Sequence, residues 1–307
     1  MQKQKIEVLL STYNGGRFLQ KQLSSIDNQS IGSVHLTIRD DGSTDDTRSI
    51  LRNFCFEGAV STCIEGENVG VVVSFLSLLK EVGSDIDFVA FSDQDDVWHK
   101  KKLEVAVEKL SGVRQGYPAM YCCRTRLVDE DLKFIGYGHK LSKPTGLENA
   151  ILQNIATGCT IVLNRVAINL LQKHFPNTDK VLMHDWWVYL VVSAFGEVIF
   201  DDNAYIDYRQ HEENVIGVRN GLRFWRQRLA RLLSRDKNQL LDQVGEFFKL
   251  YEADLPEKQR KLCLDFLNEC GSSSFIDRLL YAIKAPVYRQ STLDDGLFRV
   301  LLIIGVR

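Results

Sequence analysis

Ser92-Asp93-Gln94-Asp95-Asp96 places three carboxylates in four positions, directly after the apolar run Phe88 to Phe91. That run reads as a buried strand, so the acids fall at its carboxyl end, where an open α/β sheet binds ligands. Asp93 and Asp95 are two residues apart, and extended backbone points such a pair the same way. Carboxylates held that close repel unless a cation neutralises them. A hard divalent ion, Mg2+ or Mn2+, suits this oxygen set, and is usually held by one or two carboxylates together with substrate phosphates. The cluster therefore points to a nucleotide diphosphate bound through a metal. The competing reading is a solvated acid-rich turn.

A second cluster, Asp40-Asp41-Gly42-Ser43-Thr44-Asp45-Asp46, follows the apolar run Val34 to Ile38. Ser43 and Asp46 precede Thr47, Ile50, Leu51 and Phe54 at helical spacing, which resembles a capping box with Asp in place of Glu. Asp45 and Asp46 then favour a helix N-terminus electrostatically. Asp40 and Asp41 lie before the cap and have no such structural use. A third element is Ile6 to Leu10 running into Ser11-Thr12-Tyr13-Asn14-Gly15-Gly16. A Gly pair lets backbone approach a ligand closely, and is also ordinary turn chemistry. Neither G-x-G-x-x-G nor a Walker A motif occurs.

The elements that must position these residues alternate between strand-like and helix-like patterns to about residue 120. Phe18, Leu19, Gln22, Leu23 and Ile26 trace one helical face. Phe75, Leu76, Leu79 and Val82 trace another, and Leu103, Ala106, Val107 and Leu110 a third. Such alternation predicts a mostly parallel sheet with helices on both faces. From Gly116 to Tyr208 the pattern becomes mixed. Near residue 217 the chain changes character: six arginines, from Arg219 to Arg235, interleave with Leu222, Phe224, Trp225, Leu229, Leu232 and Leu233, with no acid among them. A basic amphipathic helix with Trp reads as membrane-surface binding; the alternative is a helix packed on the protein with a solvated Arg face. Residues 237 to 285 read as two or three helices, with Leu240, Leu241, Val244, Phe247 and Phe248 on one apolar face. Leu297 to Val306 is apolar, but about half the length that spans a bilayer. It could contact lipid, a neighbouring helix or a second copy in a homodimer.

Composition is that of an ordinary globular protein: 307 residues, 45% hydrophobic and 25% charged. A formal net charge of -2 argues against nucleic-acid binding by the whole surface. The seven cysteines include no C-x-x-C pair and are odd in number, which argues against a zinc site or a disulfide framework and for a reducing compartment. The N-terminus leads straight into the first strand without a signal peptide, so the cytoplasm is the expected location.

Four motifs occur in order: Leu10-Ser11-Thr12-Tyr13-Asn14-Gly15, Asp40 to Asp45, Glu67-Asn68-Val69-Gly70 and Ser92 to Trp98. Together with His184-Asp185-Trp186-Trp187 and Tyr208 to Asn214, they resemble the family 2 glycosyltransferases of GT-A fold. The resemblance covers about residues 5 to 215, and within the family is most like bacterial rhamnosyltransferases of surface-polysaccharide synthesis. It implies a GT-A catalytic domain over 1–216 and a helical C-terminal region over 217–307, seated at the inner membrane face.

The resemblance also assigns roles. Thr12 and Tyr13 would flank the nucleotide base, with Asn14 and Gln94 in the same donor-binding set. Asp40 would accept a hydrogen bond from the base imide, and Asp41 would hold the same end. Asn68 and Gly70 would border the pocket. Asp93 would lie near ribose and metal, and Asp95 would be the main metal ligand. His211 would contact metal or diphosphate, and Arg209 the phosphates. Asp185 would be the general base. Trp186, Trp187 and Gly158 would face the acceptor; the alternatives are a helix that buries one of the two Trp rings in the core and a plain turn entering a strand at Gly158. His184 stands where the family commonly has Glu.

The implied activity is inverting, metal-dependent transfer of L-rhamnose from dTDP-L-rhamnose onto a lipid-linked glycan. The alternatives are a UDP-hexose donor and an inactive nucleotide-sugar-binding scaffold. Nucleotidyl transfer also uses paired carboxylates and Mg2+, but would bring phosphate-cradling Gly-rich loops or Lys, which are absent near these acids.

Overall fold

The computed structural model describes residues 4–32, 34–210, 236–272 and 274–304. The chain runs β1 (Ile6–Thr12), α1 (Leu19–Asp27), β2 (Val34–Asp40), α2 (Thr47–Asn53), β3 (Ala59–Glu65), α3 (Val71–Lys80), β4 (Phe88–Ser92) and β5 (Val97–Trp98). It continues through α4 (Lys102–Ser111), β6 (Ala119–Val128), β7 (Phe134–Tyr137), α5 (Leu147–Ala150), β8 (Val162–Asn164), α6 (Arg165–Lys173), α7 (His184–Phe195) and β9 (Glu197–Arg209). Four further helices follow: α8 (Asp236–Tyr251), α9 (Glu257–Gly271), α10 (Phe275–Lys284) and α11 (Thr292–Ile304).

One mixed sheet has the order β3-β2-β1-β4-β8-β6-β9-β5, with β7 hanging on β6. The β3-β2-β1-β4 half is parallel, as strand–helix alternation requires. Beyond β4 the pairing is antiparallel to β8, and β8 is antiparallel to β6. Strands buried on both faces read as continuous apolar runs, and β4 is buried throughout. In β1, Val8 and Leu10 face a core built with Leu19 and Leu23 of α1 and Leu103 of α4. Leu9, pointing the other way, joins the core of Phe75 of α3 and Val188 of α7.

Helix α7 is apolar nearly all round, and such a helix must be covered on every side. The C-terminal helices supply that cover. Val244 and Phe247 of α8, with Phe266 of α9, belong to the same buried cluster as Trp187. The Phe247 ring meets the Trp187 ring edge-on, 6.4 Å between centroids. Gln243 Oε1 accepts from the Leu182 N–H at 2.9 Å, and Gln290 Oε1 accepts from the N–H groups of Ser142 and Lys143. No described helix is long and apolar enough to cross a membrane. The Arg-rich stretch 219–235 and the expected boundary at 216 lie outside the described residues, as does Val306.

The expected capping box is absent. Helix α2 begins at Thr47, and neither Ser43 nor Asp46 caps it through its side chain. Ser43 Oγ instead accepts from the Asn14 N–H at 2.9 Å. Asp45 takes over, its Oδ1 accepting from the Thr47 N–H at 3.0 Å. The local pattern was right for a helix start, but a long-range partner claimed the hydroxyl.

Candidate active site

Register sets the site. Thr12 pairs with Asp40, so β1 and β2 end level, while β4 ends two residues earlier, where Ser92 pairs with Leu10. The residues that follow, Tyr13, Asp41 and Asp93, meet along one edge of the sheet. They open onto a cavity of about 620 Å3. Of the expected donor and acceptor residues, Tyr13, Asn14, Asp41, Asn68, Gly70, Asp93, Gln94, Asp95, Gly158 and Asp185 line it. Thr12, Asp40, Trp186, Trp187 and Arg209 do not, and His211 lies outside the described residues.

Each departure has a physical cause. Asp40 is fully buried, and its Oδ2 accepts from the Ser43 N–H at 3.1 Å and from Arg48 Nε at 2.7 Å. Successive side chains of extended backbone point to opposite sides, so the next acid, Asp41, takes the cavity. Its Oδ2 accepts from the N–H groups of Val69 and Gly70 at 3.1 and 2.9 Å, tying in the Asn68 loop. Gly70 makes that turn at φ 82°, a left-handed conformation that glycine adopts freely.

Thr12 is buried, and its hydroxyl donates to Gln94 Oε1 at 2.7 Å. The same oxygen accepts from the Tyr13 N–H, and Gln94 Nε2 donates to the Tyr13 carbonyl. Gln94 thus clamps the backbone of Tyr13 and leaves its ring, 47% exposed, at the cavity mouth.

Arg209 does not present its charge to the cavity. It is fully buried, its Nε donating to the Asp95 carbonyl at 2.7 Å and a terminal nitrogen donating to the Glu130 carbonyl. Its guanidinium lies over the Phe18 ring, 4.5 Å from the centroid. Trp187, expected as one of two sugar-facing rings, is a core residue because α7 turns that face onto α8. Trp186 is half-buried, and its indole N–H donates to the Ala150 carbonyl at 2.7 Å, which points it away from the cavity.

Asp93, Asp95 and Asp185 share the cavity. Burial, then Asp95 and Asp185, push the Asp93 carboxyl up to about 7, while a hydrogen bond from Cys159 opposes the shift. Asp93 and Asp95 offer hard carboxylate oxygens to that space, donors of the kind that suit Mg2+ or Mn2+. Asp96 is fully buried beside them, with its Oδ1 accepting from the Arg209 N–H at 3.2 Å. Among the described residues, Asp93, Asp96 and Cys159 bring ligand atoms within 4.8 Å of one another. Burial drives the Cys159 thiol well up, so it stays protonated and braces the acids rather than joining a hard-metal site.

Asp185 sits in the first turn of α7, where the helix dipole favours an acid. Its Oδ1 accepts from the Trp186 N–H at 2.7 Å and its Oδ2 from the Gly158 N–H at 3.0 Å. Burial still wins and pushes it up to about 6, against those hydrogen bonds and one from Asn154. The result is a fixed carboxylate with raised basicity at the cavity wall.

The sequence matches the family model "Glycosyl transferase family 2" over residues 7–166, just over half of the 307-residue chain. This chain belongs to glycosyl transferase family 2. The "dTDP-rhamnosyl transferase RfbG" of Shigella flexneri is 26% identical over 97% of this chain and 100% of that protein. The "UDP-Glc:alpha-D-GlcNAc-diphosphoundecaprenol beta-1,3-glucosyltransferase WfgD" of Escherichia coli is 24% identical over 61% of this chain and 69% of its own. The crystal structure of S. aureus TarS 1-349 in complex with UDP-GlcNAc superposes with a TM-score of 0.55 at 18% identity, covering 98% of this chain and 90% of that one. The fold of this glycosyltransferase is therefore GT-A, a mixed sheet flanked by helices with a helical C-terminal region.

Several cavity residues of this glycosyltransferase carried no sequence signal of function. Phe75 read as helix core, Val71 and Met183 as ordinary positions beside motifs, and Ser11 and Tyr208 as motif positions with no role of their own, yet all line the cavity. Val71 was reachable only through Gly70, whose turn aims the start of α3 at the site.

Proposed function

We propose that this glycosyltransferase moves L-rhamnose from dTDP-L-rhamnose, with inversion, onto a lipid-linked glycan acceptor in surface-polysaccharide (O-antigen or capsule) assembly. The observation that carries the chemistry is the meeting of Asp93, Asp95 and Asp185 on one cavity. The donor choice is supported by the end-to-end similarity to a protein named as a dTDP-rhamnosyl transferase. A UDP-hexose donor is the second reading, favoured by the partial similarity to a protein named as a UDP-Glc-dependent transferase.

Tyr13, Asn14 and Asp41 bind the base end of the nucleotide, and Asn68 and Gly70 close that side. Asp95 and Asp93 would hold the divalent ion, which neutralises charge developing on the leaving diphosphate. Arg209 holds the Asp95 backbone in place from behind. Asp185 takes the proton of the acceptor hydroxyl as general base, and its raised pKa suits that work near neutral pH. Attack from the face opposite the diphosphate gives one displacement and an inverted anomeric centre. The enzyme works in the cytoplasm at the inner face of the membrane, where the lipid-linked acceptor is presented.

The test is a thermal-shift screen against dTDP, UDP, GDP and CMP, each with Mn2+ or EDTA. A ligand that binds only the folded state raises apparent stability by mass action. Stabilisation by dTDP that needs Mn2+ is the expected result. Stabilisation by UDP alone would move the donor to the second reading, and no response to any nucleotide would overturn the donor assignment.

A further inference from the structure

His184 is a buried polar side chain in the cavity wall with neither ring nitrogen hydrogen-bonded. The residue is 3% exposed. Its ring stacks on Phe75, 4.1 Å between centroids, and meets the edge of Phe91 at 5.5 Å. Those two contacts fix the ring plane and leave only its edges for bonding. One edge faces Gly158: a Cβ built there would lie 2.8 Å from Nε2 and 3.6 Å from the Asp185 Cβ. Glycine at that position therefore lets the loop pack directly against that ring edge, next to Asp185, where any side chain would collide with it.

Burial holds the imidazole neutral, its pKa down to about 3. A neutral imidazole offers one donor and one acceptor. Each left unsatisfied in the interior costs about 1–3 kcal/mol. A phenyl ring would stack on Phe75 without that cost, so packing alone does not account for a histidine here. An uncharged ring nitrogen, donor or acceptor by tautomer, matches a sugar hydroxyl, which can do either, better than it matches a phosphate.

We propose that His184 contacts substrate, one ring nitrogen hydrogen-bonding a hydroxyl of the sugar that lies beside Asp185. This rests on the reading of Asp185 as general base. The hydroxyl belongs to the transferred sugar or to the acceptor sugar next to the reacting hydroxyl, and kinetics separates the two.

The experiment compares wild type, His184→Phe and His184→Asn by melting temperature, by donor hydrolysis without acceptor, and by transfer. The expected result for His184→Phe is an unchanged or higher melting temperature with kcat/KM for transfer lowered at least about tenfold, the scale of a lost uncharged hydrogen bond with its partner left bare. His184→Asn, which keeps a donor and an acceptor, recovers part of that loss. A raised acceptor KM with normal donor hydrolysis places the contact on the acceptor; reduced donor hydrolysis places it on the transferred sugar. The inference is overturned if His184→Phe transfers like wild type, or if it loses stability and activity together with Asn no better, because both outcomes mean packing. If wild type itself neither hydrolyses nor transfers, the donor and base readings fail instead, and a less stable His184→Phe would still overturn this inference.

Discussion

Arg209 grips Asp95 by the backbone, its Nε donating to the Asp95 carbonyl at 2.7 Å across 114 positions of sequence. The same side chain donates to the Glu130 carbonyl, and the Arg209 main-chain N–H reaches Asp96 Oδ1. A planar guanidinium can serve two carbonyls in fixed directions, whereas an ammonium is a point charge. Arg209→Lys is expected to lower the melting temperature by several degrees, since each buried carbonyl left bare costs about 1–3 kcal/mol. Affinity for nucleotide diphosphate with Mn2+ should fall about tenfold as the loop loosens. Scanning calorimetry and titration calorimetry read the two effects, and unchanged affinity would mean that the loop holds its own shape.

Asp95→Ala removes a carboxylate from the cavity without touching the Arg209 bond to the Asp95 carbonyl. Nucleotide diphosphate binding should become insensitive to Mn2+, with wild-type-like folding. Retention of a full Mn2+ effect in titration calorimetry would move the metal to other ligands.

Asp185 predicts a pH dependence of definite sign. As the proposed general base it must be ionised, and its pKa is raised to about 6. Transfer kcat/KM should therefore fall about tenfold per pH unit below 6 and level off above 7. Asp185→Asn should bind donor normally but lose transfer by about a hundredfold or more. Stability follows the same shift: the contribution of the protonated form is complete below the unfolded value near 4 and is lost as pH rises through about 6. The melting temperature of Asp185→Asn relative to wild type should accordingly be higher at pH 8 than at pH 4. A pH-independent difference would argue that burial does not perturb this carboxyl.

Phe247 tests the union of the C-terminal helices with the catalytic sheet. It is fully buried, edge-on to Trp187 and stacked on Tyr251 at 5.4 Å. Phe247→Ala should cost about 3–5 kcal/mol, read as a lower urea midpoint in one cooperative transition. Two separate transitions would show instead that the helices melt independently of the sheet.

The order of strands and helices through the parallel half and the acids at the ends of β2 and β4 were legible in the chain, while Asp185 was placed with them only by the resemblance of its motif to the family's. These signals are local. An apolar run followed by acids reads as a strand end, and apolar residues at helical spacing mark the covering helices. Which acid faces the cavity was not local. Asp40 and Asp41 are adjacent and alike in sequence, and only the bonds of Asp40 to Arg48 and Ser43 turned it inward and gave the cavity to Asp41. Trp187 needed α8 to bury it, Arg209 needed the pairing of β5 with β9 to reach Asp95, and Ser43 needed Asn14 to draw it from the helix. His184 was a neighbour of Asp185 in sequence, but its clamped, unpartnered ring exists only because α3 and β4 close on it. A side chain's type is written in the chain; its direction and partners are set by register and packing between segments far apart, and those the tertiary structure alone decided.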